Sequence, residues 1–157
     1  GNVAALPFAD ASFDAACAID VVEHAGDPLR AVGEISRILR PGGRLLLAVP
    51  LYAKSWTAFD DVVGHRARFE PRELLRGLEV NGLRVEKSAT FGLLPRNRLL
   101  VRVGAWFLAR FRAPAAWFED RLVLPVARVF QRPVRWAAGF QCAPEADGII
   151  LLCEKTR

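Results

Sequence analysis

The sequence predicts an α/β fold, with parallel strands in one sheet and helices covering it, and three observations carry that expectation. Short apolar runs alternate along the chain with segments whose apolar residues recur at helical spacing. The runs at residues 13–19 ("FDAACAI") and 44–49 ("RLLLAV") have continuous apolar centres, as strands covered on both faces do. Pro41-Gly42-Gly43 separates a helical pattern from the strand after it. With 157 residues, 52% hydrophobic and 25% charged, the composition is that of one folded domain with a core.

Taken in order, residues 13–19 lack helical spacing and read as a buried strand. Asp27 is placed to cap a helix, with Pro28 at its first position. Leu29, Val32, Ile35, Ile38 and Leu39 then form one apolar face, and Pro41-Gly42-Gly43 is expected to stop the helix. Residues 44–49 are the second strand, and 50–70 read as a long loop. Pro71 opens a helix ended by Asn81-Gly82, with a third strand at 83–89. The last strand is expected at 148–154 ("GIILLCE"). Between the last two strands lies an insertion, residues 93–145, with helices expected at 99–112 and 117–130.

No apolar run approaches the ~20 residues of a membrane span. The cysteines Cys17, Cys142 and Cys153 form no close pair, and Cys17 and Cys153 sit in apolar runs, which points to buried thiols and a cytoplasmic protein. The chain has no methionine, which predicts that it is a piece or a processed product of a longer one. Its net charge of +5 is concentrated at 95–140, where arginines from Arg96 to Arg135 outnumber Glu119 and Asp120.

Residues 6–24 ("LPFADASFDAACAIDVVEH") and 31–50 ("AVGEISRILRPGGRLLLAVP") resemble the class I methyltransferases that use S-adenosylmethionine, and residues 64–75 ("GHRARFEPRELL") continue the pattern. The resemblance implies a Rossmann-like methyltransferase sheet, here partial: strands 4 to 7 with their helices, the last strand antiparallel, and the 93–145 insertion before it. It also implies that the glycine-rich cofactor loop and the ribose-binding acid lie upstream of Gly1. The activity implied is methyl transfer to a small-molecule or lipid-linked acceptor. A non-catalytic piece that binds no cofactor by itself is the rival reading.

Ligands of open α/β sheets bind at the carboxyl ends of strands. By resemblance Asn2 would accept from the adenine amino group and Val3 would offer its N–H, while Ala18, Ile19 and Asp20 would run beside the methionine part of the cofactor. Asp20, Glu23 and His24 have the spacing D-x-x-E-H, which one helical turn would bring to one face. Some class I methyltransferases hold magnesium with a similar run and a later histidine, here His65, so these four residues are the metal candidates. His24 and His65 are equally candidates for the general base that deprotonates the acceptor, or they brace a turn. Tyr52, Lys54, Arg66 and Arg68, all in the loop after the second strand, could steer an anionic substrate. The aromatics interleaved with the 95–140 arginines suit a lid, a homodimer contact or an anionic membrane surface. Nucleic acid is the weakest of these partners.

Overall fold

The computed structural model describes residues 1–92, 98–111, 134–144 and 146–156. In chain order these form β1 (Phe13–Ile19), α1 (Pro28–Ile38), β2 (Leu39–Pro50), α2 (Ala58–Val63), α3 (Pro71–Val80), β3 (Leu83–Phe91), α4 (Arg98–Arg110), β4 (Ala137–Ala138) and β5 (Gly148–Lys155). The sheet order is β1-β2-β5-β3-β4. β1 pairs parallel with β2, and β5 runs antiparallel between β2 and β3. The parallel β1–β2 pair and the antiparallel last strand agree with the partial Rossmann-like sheet expected from the sequence.

α1 starts as the sequence expects: the Asp27 carboxylate accepts from the Arg30 N–H at 3.0 Å, and Pro28 takes the first turn. Val32 and Ile35 of α1, Leu74 and Leu78 of α3, and Leu45, Leu47, Ile149 and Leu151 of the sheet make one core. Each such side chain contributes roughly 1.5–3 kcal/mol by leaving water. Leu29 departs from the expected apolar face. It is 51% exposed, and its Cδ2 methyl lies over Gly77 of α3.

Three further expectations are corrected. β1 is not a buried strand: Ala18 alone is buried, and Phe13, Cys17 and Ile19 are exposed, because β1 ends the sheet order and has one uncovered face. Cys17 is therefore an exposed thiol, while Cys153 is buried as expected. The Arg40-Pro41-Gly42-Gly43 run is not a connection after the helix. α1 already ends at Ile38, and β2 begins at Leu39 and passes through the glycines, with a register shift against β1 between Phe13 and Ala15.

The chain divides into two compact units, the sheet with α1 and α3, and a second formed by Thr57–Gly64 with residues 94–134. In the second unit α2 packs against α4. α2 lies where a loop was expected. Its signal was present as Thr57-x-x-Asp60: the Thr57 hydroxyl accepts from the Phe59 N–H, and buried Asp60 accepts from the Thr57 N–H at 2.7 Å. α4 realises the first insertion helix and exposes Val103, Trp106 and Phe107. The helix expected at 117–130 lies outside the described residues. No described helix is long and apolar enough to cross a membrane.

Candidate active site

The parallel strands β1 and β2 end side by side, and the chain departs from each through a residue in the left-handed region. These are Asp20, φ 51°, and Tyr52, φ 58°. Asp20 stays tied to the sheet by donating its N–H to the Ala48 carbonyl at 3.2 Å. One 3-10 turn, Val22–His24, follows, anchored by fully buried Val22. The Glu23 carbonyl accepts from the Arg66 N–H at 2.9 Å and the Ala67 N–H at 3.2 Å, so the turn holds the segment after Gly64. That segment is also fixed to the end of β2: Phe69 donates to the Pro50 carbonyl at 3.0 Å and accepts from the Tyr52 N–H at 2.9 Å.

This double attachment brings His65 to Glu23 and His24. Glu23 has no exposed surface, and neither of its carboxylate oxygens has a hydrogen-bond partner among the described residues. His65 Nε2 lies 3.8 Å from Glu23 Oε1, outside hydrogen-bond range. The His24 and His65 rings meet edge to face, with centroids 5.0 Å apart. Burial pushes the Glu23 carboxyl above its ordinary value, and Asp20 adds to the rise. Its own backbone N–H, and to a lesser degree the two histidines, pull it down without overcoming the burial. One donor atom from each of Glu23, His24 and His65 falls within 4.8 Å of the others.

Asp20 is not part of that trio. Its left-handed backbone and the start of the 3-10 turn at Val22 break the single helical turn that the D-x-x-E-H spacing suggested. Ala18 turns its methyl into the core, so it can meet a ligand only through its backbone, whereas Ile19 is exposed beside it. Asn2 accepts from the Ala4 N–H with Oδ1 at 3.0 Å, and its carbonyl accepts from Ala5 at 3.0 Å. This closes a tight turn around Val3, which packs against the core. A carbonyl oxygen engaged once keeps a second lone pair. Arg68 is no steering cation. It is buried and donates to the Leu51 carbonyl at 3.1 Å. Tyr52, another of the steering candidates, turns its hydroxyl to the Ala143 carbonyl at 3.0 Å beside Cys142. No local pattern signals that contact, because its partners lie some ninety residues away.

Residues 1–47 match the model of a methyltransferase domain family. Among curated proteins, a Mycolicibacterium smegmatis protein described as a probable S-adenosylmethionine-dependent methyltransferase is 36% identical over 56% of this chain and 35% of its own length. An O-methyltransferase of Aspergillus nomiae is 53% identical over 30% of this chain and 21% of its own length. The chain thus spans about a third or less of these relatives. Among solved structures, an S-adenosylmethionine-dependent methyltransferase from Thermotoga maritima superposes with a TM-score of 0.59 at 19% identity, covering 99% of this chain and 62% of that one.

Proposed function

From the premise that this chain carries part of the class I methyltransferase fold, we propose that the protein transfers a methyl group from S-adenosylmethionine to a small-molecule or lipid-linked acceptor. The single observation behind the acceptor site is the buried carboxylate of Glu23 set against His65 and His24 at the adjoining ends of two parallel strands. The cofactor contacts proposed are the Asn2–Val3 turn for the adenine and the backbone of Ala18, Ile19 and Asp20 for the methionine part.

Methyl transfer is an in-line displacement: the acceptor lone pair forms a bond to the methyl carbon as the carbon–sulfur bond breaks and its electrons return to sulfur. Holding the two reactants in line supplies most of the acceleration. A hydroxyl acceptor must also lose its proton, and imidazole is a side chain able to take it. His24 is exposed at the strand end and His65 lies beside the Glu23 carboxylate, so both imidazoles stand at the proposed acceptor site. In the full-length protein, His65→Gln and His24→Gln are expected to leave S-adenosylhomocysteine affinity by calorimetry unchanged. The base among them should lose about 10²–10⁴-fold in turnover. Failure of the wild type to bind S-adenosylhomocysteine overturns the reading and leaves the non-catalytic alternative.

A metal is the second reading, and the unsatisfied Glu23 carboxylate favours it. Magnesium is the poorer match to these donors, because it prefers oxygen ligands and two of the three groups here are imidazoles. A borderline divalent ion such as zinc fits them. We expect zinc to raise the melting temperature of the wild type and not of His65→Gln. An equal response in both proteins sinks the idea.

A further inference from the structure

We infer that Glu34 and Arg37, on the face of α1 away from the core, are positioning residues that set the Asn2–Ala5 turn for recognition of the cofactor's base. The inference rests on the cofactor contact proposed above for Asn2 and Val3.

The observations concern the segment that follows that turn. Glu34 Oε2 accepts from the Leu6 N–H at 2.9 Å, and Arg37 Nη2 donates to the Leu6 carbonyl at 3.1 Å, so both backbone groups of Leu6 are held by one helix. Arg37 Nη1 donates to the Phe8 carbonyl at 2.8 Å and to Asp10 Oδ1 at 2.5 Å. Arg37 Nε and Nη2 bind Glu34 Oε1 and Oε2 at 2.9 and 3.0 Å, a bidentate pair that locks both side chains. The Ala11 N–H reaches the Arg37 carbonyl at 3.0 Å. Residues 6–11, which form no strand or helix, are thereby fixed from one helical turn.

This concentration exceeds what joining a loop to β1 requires, since Ser12 already donates to the Ile38 carbonyl at 2.8 Å and Arg40 pairs with Asp14 at 2.6 Å. The additional contacts lie toward the N-terminal side, where Leu6 adjoins the turn closed by the Ala5 N–H on the Asn2 carbonyl. Val3 and Leu6 both pack on the core. A turn pinned at its exit and seated on the core presents Asn2 Oδ1 and the Val3 N–H in one fixed arrangement. Arg37 and Leu6 hold Glu34 ionised, down to about 2, so the pin persists at every working pH.

The test compares two product analogues on the full-length protein by calorimetry: S-adenosylhomocysteine, and S-inosylhomocysteine, whose base has a carbonyl in place of the amino group. Arg37→Ala and Glu34→Gln are expected to weaken S-adenosylhomocysteine about tenfold, as for the loss of one well-placed hydrogen bond. They should leave the inosine analogue within about twofold, because it never made those contacts. Arg37→Lys, which keeps the charge but not the forked geometry, should recover only part of the loss. A role confined to folding weakens both analogues alike, and that result overturns the proposal, as does an unchanged affinity for both. Wild-type protein that binds the two analogues equally refutes the Asn2 contact and the proposal with it. Wild-type protein that binds neither refutes the cofactor reading itself.

Discussion

Glu23→Met is expected to make the metal-free protein more stable while abolishing the chemistry assigned to His65. Glu23 is fully buried with both carboxylate oxygens unsatisfied, so its ionised form carries a desolvation penalty that His65, at 3.8 Å, offsets only in part. Methionine fills a similar volume without a charge. The gain should be on the order of 1–3 kcal/mol, or several degrees in melting temperature for a chain of this size. It should also depend on pH. The folded state raises the Glu23 pKa above its ordinary value of 4.5, so folding favours the protonated form. That stability is fully present below about pH 4.5 and is lost as pH rises through the folded value. Glu23→Met and the wild type should therefore melt nearly together at pH 4 and diverge by pH 8. Turnover of the full-length protein should fall with the same substitution. A destabilised Glu23→Met at pH 8 would show that the carboxylate is structurally required, and the functional reading of the trio would fail.

Gly43→Ala is expected to destabilise the sheet by roughly 1–3 kcal/mol, the range for forcing an added methyl into packed surroundings. A β-carbon at Gly43 would stand 2.8 Å from the Arg40 carbonyl oxygen and 3.2 Å from that of Asp14. These are backbone atoms in the two strands whose pairing begins there, and they cannot rotate away as a side-chain tip does. Gly42→Ala differs in kind: its surroundings are open, but at φ 78° the cost is one of backbone conformation, about 1–2 kcal/mol. Urea titration should show a lower midpoint for both variants with an unchanged slope. A Gly43→Ala midpoint equal to the wild type would mean that β1 and β2 separate freely at this bulge.

These two sites mark where local pattern succeeds and where it stops. Asp27-Pro28, the Val32–Ile35 face and the apolar centres of β2 and β5 were legible because each depends on neighbours within a turn or a strand. The run at 13–19 was legible as a strand but not as an exposed one, since exposure depends on what covers it. Glu23, His24 and His65 were legible as candidate residue types. Their meeting was not, because it needs the 65–69 segment to bond both the Glu23 carbonyl and the end of β2. Asp20 was misleading for a related reason, since spacing predicts a shared face only where the backbone stays helical, and here it enters the left-handed region. The Glu34–Arg37 pin was spelled out as an i, i+3 pair, yet its partners lie 27 to 31 residues upstream. No periodicity reports such a distance.

The position of β5 governs how this chain can be made. It is the last of the described strands and lies between β2 and β3, which have no described pairing with each other. A polypeptide emerging from the ribosome can close α1 and the β1–β2 pair early, because their contacts are short in sequence. The sheet's central seam must wait until Gly148–Lys155 has cleared the exit tunnel. Until then β2 and β3 lack the strand that pairs with both of them.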